Sequence, residues 1–311
     1  MILTLTMNPA VDKTAEVDTL KVGELNRLNN VMMDAGGKGI NVSKTIAQLN
    51  GNSIAHGVIA GNSGAFIEEE LNRLGIAHDF MKIAGNTRTN LKVLDQNRVL
   101  TELNENGPSP SEEELQQLSD HILSSLHSDD ILVISGSVPS KVNKDFYYHL
   151  ILAAKQRQAK VILDADGALF KEGIKAVPHV IKPNRFELCQ YFEVEETIDD
   201  QGIVALAQRF LAQGVALVAV SMGSDGALFV SKDRAIRVEA LNIKAHSSVG
   251  AGDAMVAAMA YSFHQGYSFE KLVTLAVATS AGAVMTQGTK PPTKELVETL
   301  EKQVKMHEIA I

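Results

Sequence analysis

Ser248-Val249-Gly250-Ala251-Gly252-Asp253 runs directly into the small, apolar stretch Ala254-Met255-Val256-Ala257-Ala258-Met259-Ala260. Two glycines around an alanine let successive backbone N–H groups turn toward one point, and a helix starting there adds the positive end of its dipole. A corner of that kind binds an anion. Asp253 stands at its mouth, where a carboxylate beside a phosphate is costly unless it has a chemical task. Taking a proton from an attacking hydroxyl, next to a nest that holds developing negative charge, is a task that fits. The same residues also suit a plain helix start, with Asp253 compensating the dipole.

A second glycine signal lies near the other end, in Ala35-Gly36-Gly37-Lys38-Gly39-Ile40-Asn41, followed by the amphipathic run Val42 to Leu49. No Lys-Ser or Lys-Thr follows a first glycine at the spacing of a Walker loop. The turn still brings backbone close to a polar ligand, with Lys38 supplying charge and Asn41 both a donor and an acceptor.

Between these runs, short apolar stretches alternate with amphipathic ones, as repeated β-α units should. Ile131 to Ile134, Val161 to Leu163, His179 to Ile181 and Leu217 to Val220 read as buried parallel strands. Ser111 to Leu126, Asn143 to Gln156 and Gly202 to Gln213 have the apolar spacing of covering helices. The strands end at Ser135-Gly136, Asp164, Lys182-Pro183-Asn184 and Ser221-Met222-Gly223, so these polar residues should share the carboxyl-end rim where open α/β sheets bind ligands. Asp164 fits either the site or a structural cap. Thr14 to Met33 and Thr87 to Leu103 alternate apolar and polar residues, which suits strands with one open face. The expected architecture is α/β, a mostly parallel central sheet flanked by helices, with a small β-sheet beside it.

These motifs, in this order, resemble the ribokinase-like (PfkB) family of carbohydrate kinases. Gly250-Ala251-Gly252-Asp253 matches the family's C-terminal signature, and Gly36-Gly37-Lys38-Gly39-Ile40-Asn41 its N-terminal one. Asn184-Arg185-Phe186-Glu187 is similar to the family's Asn-x-x-Glu motif, and Ser221 to Gly226 to a nucleotide loop. The opening Thr6-Met7-Asn8-Pro9-Ala10-Val11-Asp12 resembles the branch whose members phosphorylate a sugar that already bears a phosphate.

The resemblance implies ATP and Mg2+ as cofactors, with fructose 1-phosphate the expected acceptor and tagatose 6-phosphate the alternative. Asp253 is then the base, with the N–H groups of Gly250, Ala251 and Gly252 as the anion hole. Asp12 reads sugar hydroxyls, assisted by Gly37, Lys38 and Asn41. Arg88 is the candidate for the existing phosphate, since its planar fork suits phosphate oxygens, with Lys38 and Ser137 assisting. Asn184 and Glu187 organise magnesium, their plain alternative being a helix start with an acidic first turn. Ser221, Gly223 and Gly226 join Asn184 and Gly252 on the nucleotide side, and the adenine is expected over Ala278 to Gly282. By the same resemblance, 14–33 and 87–103 form a lid over a main domain of 1–13, 34–86 and 104–311, and two lids clasp in a homodimer. Two surface hairpins are the alternative. Two departures stand out: Ser247-Ser248 replaces an Asp-Thr pair beside the anion hole, where a monovalent cation would bind, and Ser140-Lys141 falls where sugar choice can be retuned.

Composition agrees. At 311 residues and 45% hydrophobic the chain can bury a large core. Its net charge of -8 gives no basic footprint, so nucleic acid is not an expected partner. The one cysteine, Cys189, excludes an intramolecular disulfide framework. With no long apolar span and no positively charged leader, the chain reads as cytoplasmic, with no membrane partner. Met1-Ile2-Leu3-Thr4-Leu5, which reads as the first strand, is not followed by Gly-x-Gly-x-x-Gly, which argues against a nicotinamide dehydrogenase. A non-catalytic sugar-phosphate sensor would need no proton acceptor at the nest.

Overall fold

The structure is a computed structural model that describes residues 1–97 and 99–311. Position 98, within the expected lid segment 87–103, lies outside the described residues. Among the described residues, ten strands form one sheet. Its order is Met306–Ile309, Ala235–Val238, Ala227–Ser231, Leu217–Ser221, Val180–Ile181, Lys160–Asp164, Ile131–Ser135, Ile2–Thr6, Ile54–Ile59, Ala77–Lys82. From Leu217–Ser221 to Ala77–Lys82 the neighbours pair in parallel, and the last three strands in sequence order are added antiparallel at one edge.

The central strands are apolar on both faces because both faces are covered. Leu132 and Ile134 point into one core with Leu118, Ile122, Leu150 and Ile203 of the helices Glu112–Ser125, Phe146–Gln156 and Asp200–Leu211. Ile131 and Val133 point the other way, into a core with Val42 and Ile46 of Lys38–Gln48 and Met255 and Met259 of Ala251–Gln265. This alternation is the two-residue period of a strand, each side filled by helices. Ala251–Gln265 packs against both Lys38–Gln48 and Phe269–Met285, and its unbroken run of small residues permits that close contact. The expected strands and helices are present with ends shifted by a few residues; Ile54–Ile59, the edge strand Ala77–Lys82 and the antiparallel hairpins lie outside the runs singled out in the sequence. Among the described residues, no helix is long and apolar enough to cross a membrane.

A second sheet has the order Asn29–Gly36, Ala10–Val17, Arg88–Asp95, Leu100–Asn104. It is longer than the expected segments at the end near the main sheet, so Asp12, assigned from sequence to the main domain, sits within this second sheet, paired in register with Asp34 and Asn90. Residues on that face of the sheet, Asn90, Lys92, Glu102 and Asn104, look into the same cleft as the rim of the main sheet.

Candidate active site

The carboxyl ends of the parallel strands and one face of the second sheet enclose a cleft of about 990 Å3. Gly37, Lys38, Asn41, Asp12, Arg88, Ser137, Asn184, Glu187, Ser221, Gly223, Gly226, Gly250, Ala251, Gly252 and Asp253 all line it. Residues separated by more than two hundred positions are thereby brought to one place.

At its centre, Gly250 precedes the helix Ala251–Gln265 in a left-handed conformation, φ 85°, which a residue with a Cβ adopts only under strain. No side chain caps this helix start. Ala251 N–H makes a long contact to Ser248 O, 3.4 Å, while the N–H groups that follow belong to a first turn with no preceding carbonyl to reach. The corner is therefore a cluster of donors facing the cleft. Asp253, in that first turn, is 7% exposed and accepts a hydrogen bond from Asn41 Nδ2 at 2.8 Å. Burial, reinforced by the nearby Asp164 carboxylate, pushes its carboxyl up to about 6, against the opposing pull of Asn41, Lys38 and Lys182. A carboxylate poised there can accept a proton near neutral pH.

Gly37, φ 120°, starts the helix Lys38–Gln48 in the same way, and its turn carries Lys38 across to Asp164. Asp164 ends the strand Lys160–Asp164 and caps no helix; it lies between two ammonium groups, Lys182 Nζ at 3.3 Å and Lys38 Nζ at 3.4 Å. Burial works to raise its carboxyl, but Lys182 and Lys38 together outweigh that and hold it below the usual carboxylate range. Asp164 in turn holds Lys38 protonated well above the ordinary lysine value, against the effect of burial. Lys182 also comes close to the glycine corner, since a Cβ placed on Gly252 would lie 3.3 Å from its Nζ. Two positive charges are thus fixed beside the donor cluster.

On the second sheet, Asp12 Oδ1 accepts from Asn90 Nδ2 at 3.0 Å, and Lys92 Nζ lies 3.6 Å from Asp12 Oδ2. Arg88 donates Nε and Nη2 to the Asn8 carbonyl at 3.3 and 3.1 Å, leaving Nη1 without a partner among the described residues. Asn8 Nδ2 reaches Ser137 Oγ at 3.4 Å. Asn184 and Glu187 form a reciprocal cap: Asn184 Oδ1 accepts from Glu187 N at 2.7 Å, and Asn184 N donates to Glu187 Oε2 at 2.8 Å. The plain helix-start reading is therefore present in the structure, with one oxygen of Glu187 left over on the cleft wall. The turn Gly223–Asp225 closes the far side between Ser221 and Gly226.

Buried polar atoms without partners gather on the same walls. Thr6 Oγ1, Asn8 Oδ1, Asn41 Oδ1, Asn90 Oδ1 and Ser135 Oγ are all unpaired among the described residues, and all five residues line the cleft. Buried polar atoms normally find partners, so a run of orphans around one cavity fits a ligand rich in hydroxyls.

A model of the pfkB family of carbohydrate kinases matches residues 5–296. The chain belongs to the pfkB family of carbohydrate kinases. It is 38% identical over 264 residues to 1-phosphofructokinase of Xanthomonas campestris pv. campestris, covering 83% of this chain and 82% of that one. It is 32% identical over 311 residues to tagatose-6-phosphate kinase of Staphylococcus epidermidis, covering 99% and 100%. The crystal structure of phosphofructokinase-2 from Escherichia coli in complex with substrates and products superimposes with a TM-score of 0.92 at 28% identity, covering 97% of this chain and 98% of that one. The protein is a phosphosugar kinase of the 1-phosphofructokinase or tagatose-6-phosphate kinase type, built on the fold expected from its motifs.

The geometry bears on two sequence expectations about this kinase. Ala278, Thr279 and Gly282 do not line the cleft; Ala278 and Thr279 are fully buried in the core, and a Cβ on Gly282 would meet Pro292. The helix Phe269–Met285 presents Val277, Ser280, Ala281 and Val284 to the cleft, so only Ser280 and Ala281 of the expected stretch reach its wall, on the face set by the 3.6-residue period. Ser140 and Lys141 are exposed and lie off the cleft walls. Among the residues not assigned from sequence that also line the site are Lys182, Asn90, Lys92 and Asp166. Lys182 stands inside a quoted motif, where its place at a strand end was the available signal. Asn90 ends the stretch Thr87-Arg88-Thr89-Asn90, which resembles a substrate-side segment of the family, whereas Lys92 carries no local signal, because only the pairing of Ala10–Val17 with Arg88–Asp95 brings it to Asp12.

Proposed function

We propose that this kinase transfers the γ-phosphoryl group of ATP to a hydroxyl of fructose 1-phosphate, giving fructose 1,6-bisphosphate. The observation that carries the reading is Asp253, a buried carboxylate held by Asn41 at the donor-rich start of its helix. Asp253 accepts the proton of the attacking hydroxyl as its oxygen bonds to the γ-phosphorus and the bond to the bridging oxygen of ADP breaks. N–H groups at Gly250 to Gly252, with Lys182 and Lys38 nearby, meet the charge on the transferring group. Asp12, with Asn90 and the unpaired oxygens of Asn8 and Asn41, reads the sugar hydroxyls. Ser221, Gly223 and Gly226 flank the nucleotide, whose base lies against Val277 and Ala281. The higher identity with the Xanthomonas enzyme than with the staphylococcal one favours the fructose substrate.

Glu187 offers a hard carboxylate oxygen and Asn184 an amide that can hold a coordinated water at the cleft wall, a set that fits Mg2+ held through waters. Bound there, the ion would neutralise charge on the polyphosphate. Product analysis tests the whole reading: with fructose 1-phosphate, ATP and Mg2+, ADP and a ketohexose bisphosphate should appear in equal amounts. Release of inorganic phosphate without bisphosphate would overturn it.

Because a capping box accepts Gln in place of Glu, Glu187→Gln should keep the helix start while removing the charge. The magnesium dependence of the rate should then shift to higher concentration more than the sugar-phosphate KM does, read by paired titrations. A raised sugar KM with an unchanged magnesium curve would place Glu187 on the sugar side.

Arg88→Ala should lower kcat/KM for the phosphorylated sugar by about 2 kcal/mol, some thirty-fold, through loss of a charge-assisted contact with its phosphate. Slow turnover of unphosphorylated fructose should barely change. Equal losses on both sugars would mean that Arg88 serves only to hold the Asn8 carbonyl.

The second sheet is assigned as the lid and as the contact of a homodimer. Its face away from the cleft exposes Val31, Met33 and Leu103, with Met33, Lys13, Leu91 and Leu103 in register across the strands. Sedimentation should show a dimer for the wild type and a monomer for Met33→Glu with Leu103→Glu. A monomeric wild type at micromolar concentration would contradict the assignment.

A further inference from the structure

Away from the cleft, a second group of chemistry-bearing side chains meets at the edge of the main sheet. His56 on Ile54–Ile59 and Asp79 on Ala77–Lys82 are partners in the parallel register, so their side chains stand as neighbours on one face. His121, on the helix Glu112–Ser125 that covers this face, places Nε2 2.7 Å from Asp79 Oδ2 and sets its ring edge-on to His56, centroids 5.9 Å apart. One donor atom from each of the three lies within 4.8 Å of the other two.

His56 is the decisive member. It is 1% exposed, and among the described residues neither of its ring nitrogens has a hydrogen-bond partner of good geometry, the Asp79 backbone being the polar group that comes nearest to offering one. An imidazole buried with both nitrogens idle is an unexplained cost unless something occupies one of them. No residue of this group lines the cleft, so the proposed phosphoryl transfer gives the imidazole no task.

We propose that His56, Asp79 and His121 form a transition-metal site, suited to Zn2+, that ties the helix Glu112–Ser125 to the edge of the main sheet. Two imidazoles and a carboxylate are donors that zinc and its neighbours in the first transition row prefer, whereas Mg2+ takes oxygen ligands and would not select this set. Tetrahedral zinc needs its ligand atoms roughly 3.4 Å apart, from metal–ligand distances of about 2.0–2.1 Å. His56 is fixed by the core, while Asp79 and His121 are exposed and free to adjust to that spacing. Solvent fills the remaining position.

The test uses the full chain, stripped with chelator and returned to saturating Mg2+ so that oxygen sites in the cleft are occupied. Co2+ should bind one ion per chain with the intense visible absorption of a tetrahedral site, Zn2+ should displace it, and Zn2+ should raise the melting temperature. His121→Ala and Asp79→Asn alter exposed positions and should leave the magnesium-dependent kinase rate unchanged. Each should weaken Co2+ binding by no less than the about 10–100-fold lost when only an outer partner of a ligand is removed. Absence of the Co2+ spectrum in the wild type at hundred-micromolar metal, or an equal spectrum in His121→Ala, would overturn the site.

Discussion

Asp253→Asn should lower kcat by a hundred-fold or more while ATP and sugar phosphate still bind, the usual consequence of removing a general base. In the wild type, kcat should fall off below about pH 6 as the carboxylate protonates, and the residual rate of the variant should lack that limb. The comparison cancels the titration of the substrate's own phosphate, which is common to both proteins. Stability should move the opposite way. The folded-state carboxyl is raised from an ordinary 3.8 to about 6, so between these values the folded protein binds the proton that the unfolded chain has lost. Wild-type stability from this group is full below the unfolded value and is lost as pH rises through about 6. At pH 7 the variant, which carries no charge there, should be more stable by up to ~3 kcal/mol, a margin that vanishes by pH 4. Denaturant unfolding at the two pH values checks this. A wild-type rate in the folded variant would remove Asp253 from the chemistry.

The second large effect is expected at Asp164. Its carboxylate lies between Lys182 and Lys38, and Asp164→Asn leaves Lys182, itself 6% exposed, without its counter-charge. Breaking a buried pair from one side costs about 3–5 kcal/mol, far more than the net worth of the pair. Because the folded-state carboxyl is depressed, this contribution is present above the unfolded value, near 4, and is lost as pH falls through the folded one. The difference between wild type and variant should therefore close in acid. Removing Asp164 also removes the charge that helps to raise Asp253, so the acid limb of the rate should move to lower pH. A limb that moves upward, or an unchanged midpoint of unfolding at neutral pH, would contradict the charge arrangement.

How much of this was legible in the sequence follows from where each signal resides. Gly250-Ala251-Gly252-Asp253 and Gly37-Lys38-Gly39 carry their geometry locally, because a left-handed glycine and a following helix fix where N–H groups point. The buried strands were legible because Ile131-Leu132-Val133-Ile134 is apolar at every position, which only a two-sided sheet accommodates. The edge strand Ala77–Lys82 was not, since Ala-His-Asp-Phe-Met-Lys mixes polar residues into a strand with one open side. Lys182 and Lys92 escaped for a different reason. Their roles depend on Asp164 and Asp12, reached across strands that no local pattern pairs. Within 278–282 the residues that face the cleft were not legible, because an Ala-rich helix looks alike on every face until the core claims Ala278 and leaves Ala281 to the cleft.

The most direct measurement is kcat/KM in one coupled ADP-release assay across fructose 1-phosphate, tagatose 6-phosphate, fructose 6-phosphate and fructose, at saturating ATP and Mg2+. Fructose 1-phosphate should give the highest value, with the unphosphorylated sugar below it by at least the thirty-fold assigned to Arg88 and its phosphate contact. A higher value for tagatose 6-phosphate, or a value for fructose equal to that of the sugar phosphates, would contradict the account.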